Sequence, residues 1–227
     1  MKKLFIAALS VVLVFSCSFV AMAYADLSAH EAGTGSVGVE YTIPSVGDGI
    51  VSADGEYNIL DNLTAKANIA EDIFGIGGSY RFTDNVGLEV GYEKVNGVGS
   101  VIDGLVAANL PLSDGLYLQG RIGETMVQPE AGTDDSYLSY GGSIVYDKDA
   151  VEAWADVDMV DDVRNITVGG KYDVTGQINV KAEMDIPESG DNSTTVGGEY
   201  KVAENIKLGA NYNIDSETWG IGAELSF

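Results

Sequence analysis

The chain has 227 residues, with 35 acids against 12 Lys and Arg and a formal net charge of −23. That sign excludes nucleic acid as a partner, because phosphate backbones are bound by Lys and Arg. Cys17 is the single cysteine, which excludes a disulfide framework and any cysteine-based metal site.

The chain opens Met1-Lys2-Lys3, runs apolar from residue 4 to about residue 20, and then offers the small residues Ala21, Ala23 and Ala25. A positive start, an apolar stretch and an A-x-A site predict a secretory signal peptide over residues 1–25, cleaved near Ala25. Cys17 lies inside it. The bulky Phe15 and the apolar residues continuing past the cysteine argue against a lipid anchor there. The leader carries two lysines and no acid, so its removal takes the net charge from −23 to −25. A short polar segment, residues 26–33, follows and contains the only histidine, His30.

From Thr34 onward the pattern has a period of two. Val37, Val39, Tyr41 and Ile43 share one face, with Ser36, Gly38, Glu40 and Thr42 opposite. No later run approaches the roughly 18 apolar residues of a membrane-spanning helix, so any membrane crossing has to use strands. Strands cross lipid only as a closed barrel, because an open edge leaves backbone groups unpaired.

Six short segments repeat along the chain: I-L-D-N-L (59–63), F-T-D-N-V (82–86), L-S-D-G-L (112–116), Y-D-K-D-A-V (146–151), V-T-G-Q-I (174–178) and V-A-E-N-I (202–206). Each brackets a polar turn with apolar residues and predicts a hairpin. Asn62, Asn85, Gly115 and Asn205 occupy the third loop position, where a type I turn with a G1 bulge takes a left-handed residue; the fourth and fifth segments depart from this rule. Six hairpins and the two flanking strands predict about fourteen strands, with twelve as the alternative. Acidic connections around 45–48, 71–72, 96–99, 128–135, 161–162, 187–191 and 215–217 fall on the opposite side. The stretch 45–55 also reads as one long loop.

A soluble β-sandwich or secreted repeat protein would alternate too. The aromatics argue against it. Tyr57, Phe82, Tyr146, Tyr172, Tyr200 and Phe227 sit on the apolar face beside the tight turns, and Tyr41, Phe74, Tyr92, Tyr140, Tyr212 and Trp219 sit on it toward the looser loops. Two aromatic bands around an aliphatic middle suit the two interfaces of a bilayer. By this parity Val180 faces lipid near its midplane and Asn179 faces water.

The last stretch, T-W-G-I-G-A-E-L-S-F (218–227), puts Trp219, Ile221, Ala223, Leu225 and Phe227 on one face and stops at the ring. It resembles the closing strand of bacterial outer-membrane β-barrels of the small porin-like kind. That resemblance implies an all-β, closed antiparallel transmembrane barrel over residues 34–227, with short periplasmic turns and longer outer loops. It also implies an outer-membrane location among lipid and lipopolysaccharide, and insertion by the barrel-assembly machinery through Trp219, Leu225 and Phe227.

Function is then expected on the inner face. Acids fall there at Glu40, Asp54, Glu56, Glu89, Glu93, Asp103, Glu152, Asp156, Asp158, Asp173, Glu183, Asp185, Glu199 and Glu224, and bases at Lys66, Arg81, Arg121, Lys171, Lys181, Lys201 and Lys207. Acids exceed bases roughly two to one, and a wall of one sign favours ions of the other. Inward glycines such as Gly75, Gly91, Gly141 and Gly169 leave volume for water. His30 lies before the first strand, away from any serine or metal partner, and no D-x-D-x-D-G loop occurs, so no catalytic residue, cofactor or metal site is read. The expectation is passive diffusion of ions and small cationic or neutral solutes. The alternative is a non-conducting barrel with a structural or surface-interaction role.

Overall fold

The computed structural model describes residues 30–227. The leader expected over 1–25, Cys17 and the segment up to residue 29 lie outside the described residues. Fourteen antiparallel strands follow one another as β1 (Gly35–Ile43), β2 (Ile50–Leu60), β3 (Leu63–Ala70), β4 (Ile73–Thr83), β5 (Val86–Val95), β6 (Gly99–Ser113), β7 (Leu116–Pro129), β8 (Asp135–Lys148), β9 (Val151–Val160), β10 (Val163–Thr175), β11 (Ile178–Pro187), β12 (Ser193–Ala203), β13 (Ile206–Asn213) and β14 (Thr218–Ser226). Each pairs with its neighbours in sequence, and β1 pairs with β14 from Ser36↔Ser226 to Ile43↔Trp219. The sheet is a closed barrel without an edge. Gly35 and Phe227 complete the seam by exchanging backbone bonds of 2.8 and 2.9 Å.

The barrel inverts the usual arrangement of apolar groups. Among the described residues only Ala107 and Val145, each 1% exposed, are buried apolar side chains. Val37, Val39, Val51, Ile76, Val90, Ile122, Ile144, Val180 and Ile221 all stand exposed on the outer surface. An apolar shell of this extent is far beyond the few hundred Å² a water-soluble monomer exposes, and it calls for hydrocarbon as its solvent. Val180, Ala182 and Met184 are exposed, so the sandwich alternative, which needs them in a dry centre, does not apply. Strands of 8–15 residues suit the roughly nine to eleven tilted residues that span a bilayer.

Aromatic rings mark both rims. Tyr57, Phe82, Tyr146, Tyr172, Tyr200 and Phe227 are exposed beside the tight turns, and Tyr41, Phe74, Tyr140 and Trp219 are exposed toward the other end. Tyr92, paired with Ile76 and Ile102, and Tyr212, stacked on Trp219 at 4.5 Å, complete the second band. Beyond that band β7 and β8 run on, pairing from Gly123↔Ser139 to Val127↔Asp135. There the outer face turns polar, with Glu124 opposite Leu138 and hydrogen-bonded by Ser136, so the belt ends where a carboxylate meets water.

The turns differ in detail from expectation. Five of the six repeat segments carry a register shift just before the turn, as between Asn58 and Leu60 or Arg81 and Thr83. The extra residue is absorbed as a bulge on the incoming strand. Asn62, Asn85 and Asn205 therefore keep negative φ, and only Gly115, at φ 75°, takes the left-handed third position. The fifth segment follows the common register after all, pairing Thr175 with Ile178. The fourth has no shift and places Asp149 at φ 58°. Residues 44–49 form the first outer connection and β2 starts at Ile50, so 45–55 is not one long loop. Asp161 and Asp162, at φ 48° and 64°, make a two-residue hairpin at the loop end, with the geometry of a type I′ turn.

Candidate functional site

The site is the inner wall, built from every second residue of each strand. Register places on that face Glu40 of β1, Lys66 of β3, Arg81 of β4, Glu89 and Glu93 of β5, Asp103 of β6 and Arg121 of β7. The same holds for Glu152, Asp156 and Asp158 of β9, Lys171 and Asp173 of β10, and Lys181, Glu183 and Asp185 of β11. Glu199 and Lys201 of β12, Lys207 of β13 and Glu224 of β14 close the ring. Trp219 and Leu225 point outward and are exposed.

Many of the inner charges are paired. Lys66 Nζ lies 3.1 Å from Glu89, Lys207 3.1 Å from Glu224, Lys181 3.2 Å from Glu183 and Lys171 3.5 Å from Glu152. Arg121 is the most engaged: Nη2 reaches Asp156 at 2.5 Å and Nε donates to Asp158 at 2.8 Å, with only 2% of its side chain exposed. Pairing still leaves an acidic excess. Acids on that face outnumber bases roughly two to one. Asp54 also sits within electrostatic reach of Glu224 and Glu40.

Glycines determine how these groups meet. Gly141 on β8 stands directly between Arg121 on β7 and Asp158 on β9. A Cβ there would lie 2.5 Å from Asp158 Oδ1 and 3.0 Å from Arg121 Nε, so the ion pair crosses β8 through the space a side chain would take. Gly169 on β10 does the same for Trp154, whose ring overlies it and lies 5.4 Å from Lys181 Nζ. This corrects the reading of inner glycines as unfilled volume: at these positions the neighbour occupies the slot. Open space lies elsewhere, beside Asp173, Lys181, Glu199 and Lys201, which stay exposed on β10 to β12.

Trp154, Tyr117 and Val145 are inner residues that the charge inventory overlooked. Parity with Glu152 and Asp156 is the sequence signal that places Trp154 on the inner face. Among the described residues no group of three or more His, Cys, Asp and Glu side chains converges as a metal site. No helix among them is long and apolar enough to cross a membrane, which says nothing against crossing by strands.

No protein-family model and no curated protein matches the chain. Solved structures do. The Acinetobacter baumannii outer membrane protein Omp33 superposes with a TM-score of 0.59 at 15% identity, over 88% of this chain and 99% of that one. The fold is that of a bacterial outer-membrane porin-like barrel. KdgM porin is similar in two structures. Its complex with disordered oligogalacturonate gives a TM-score of 0.54 at 10% identity, and the porin alone gives 0.52 at 11%, each over 85% of this chain and 99% of that one. At such identities the likeness concerns the backbone, and the wall chemistry must be read from this chain.

Proposed function

We propose that the protein is an outer-membrane channel for passive diffusion of ions and small hydrophilic solutes, with a preference for cations. The observation that carries this is the acidic excess on the inner wall, above all Asp54 within electrostatic reach of both Glu224 and Glu40. In a lumen with low-dielectric walls, one sign of charge concentrates its counter-ions. An oligogalacturonate, the polyanion bound by one of the similar porins, is a poor match for such a wall. The pore-lining set is the ring of inner charges described above, and the outer connections stay too short to fold inward as a constricting loop.

Reversal potentials across planar bilayers in a KCl gradient test this reading. K⁺ is expected to permeate over Cl⁻ on the order of several-fold, and Glu40→Gln with Asp54→Asn to move the ratio toward one. Folded barrel that carries no current would instead support the non-conducting alternative.

Insertion is expected to depend on the last residue. Phe227 holds the seam through its backbone and its ring rests against Gly35, as the aromatic end read by the barrel-assembly machinery after export by the leader. Deleting Phe227 is expected to reduce the membrane-inserted, heat-modifiable form severely. Normal levels of that form would remove the assembly role of Trp219, Leu225 and Phe227.

A further inference from the structure

Trp154 brings an indole ring to the inner wall. Across from it stand Gly169 on β10 and then Glu183 on β11. Because Gly169 has no Cβ, the half-buried indole lies over β10 and approaches β11. Lys181, the inner residue just before Glu183 on that strand, is directly opposite Lys171. Like charges in that position repel, and the two lysines part. Lys171 goes to Glu152 at 3.5 Å, whereas Lys181 places Nζ 3.2 Å from Glu183 and 5.4 Å from the centre of the Trp154 ring.

The ring and the carboxylate together make a seat for an ammonium group. An indole face attracts a cation within about 6 Å of its centre, and a carboxylate accepts the ammonium N–H groups. The present occupant is the loosest of the three parts: the Lys181 side chain is 47% exposed, against 18% for Glu183. Lys181 also borders the open part of the lumen, so its ammonium can leave the seat to a solute of the same chemistry. We propose that Trp154 and Glu183 form a binding subsite for primary alkylammonium solutes, in which the ammonium of a permeating amine replaces that of Lys181. A short aliphatic stem ending in an amine, the chemistry of the lysine side chain itself, fits this seat. Lys181 is then a tethered competitor that fills the subsite when no amine is present. The proposal rests on the reading of the lumen as a water-filled, cation-preferring path, and it gives that preference an organic substrate class.

The probe is n-butylammonium, charged at pH 7 as lysine is, with n-butanol as its neutral control. Refolded barrel carrying Trp219→Phe keeps Trp154 as its only tryptophan. Adding Lys181→Ala should open the ring to quenching by acrylamide. In that barrel n-butylammonium should protect the ring again, saturably, and n-butanol should not. Glu183→Gln should raise the half-protecting concentration about three- to fivefold, the factor expected for a single contact of this kind at a solvated site. In planar bilayers n-butylammonium should block K⁺ current at a concentration that Lys181→Ala lowers by a similar factor and that adding Trp154→Leu raises again. Heat-modifiable migration verifies that each variant has folded; if Trp154→Leu does not, Trp154→Phe and Glu183→Gln carry the same comparison. Absence of saturable protection in the folded Lys181→Ala barrel, or equal protection by n-butanol, overturns the proposal. Protection in a barrel that carries no current leaves the subsite standing and removes the channel. Current without protection removes the subsite alone.

Discussion

Replacing Arg121 with methionine is expected to cost about 3 kcal/mol of barrel stability, measured by urea unfolding in lipid vesicles. Arg121 lies almost fully buried between Asp156 and Asp158 and pairs with both. Removing it leaves two adjacent carboxylates with nothing to balance them, and the loss of one partner from a buried ion pair typically costs about 3 to 5 kcal/mol. The lower figure applies because a fifth of the Asp158 side chain reaches solvent. Adding Asp156→Asn and Asp158→Asn should recover most of the loss, since the penalty comes from stranded charge more than from missing contacts. A cost below about 1 kcal/mol for Arg121→Met would mean that the pair behaves as a solvated surface bridge.

The second large effect concerns the lipid side. Ala182 is exposed at the middle of β11, between Gly170 and Val196 on its neighbours. Ala182→Arg is expected to cost about 2 to 4 kcal/mol, the price of a guanidinium near the bilayer midplane. Val180 shares that face but pairs with Tyr172 of the aromatic band. It therefore lies nearer the interface than its sequence position implied, and Val180→Arg should cost less. Asn179 is on the other face and donates to Glu199 at 3.0 Å, so Asn179→Arg should cost under about 1 kcal/mol. Equal costs for Ala182→Arg and Asn179→Arg, in the same unfolding assay, would mean that the two faces do not see different solvents.

Strand number, turn positions and the direction each side chain faces were legible in the sequence, because all three are local. Residues two apart share a face of any strand, so Val180, Ala182 and Met184 declared their side without knowledge of their neighbours. Polar turn segments flanked by apolar residues at 59–63 or 82–86 likewise mark a chain reversal from a few residues alone. The backbone state of Asn62, Asn85 and Asn205 was not legible, because a bulge can take up the same extra residue one step earlier, and cross-strand pairing decides where it goes. What the inner residues do to one another also had to come from the tertiary structure. Arg121 and Asp158 are far apart in sequence and on strands that do not touch, and they meet because the register puts Gly141 between them. The same non-local register gives Lys66 to Glu89 and sets Glu93 beside Asn68 and Asp103. Alternation determines which solvent a side chain sees, and barrel closure with its register determines which side chains it meets.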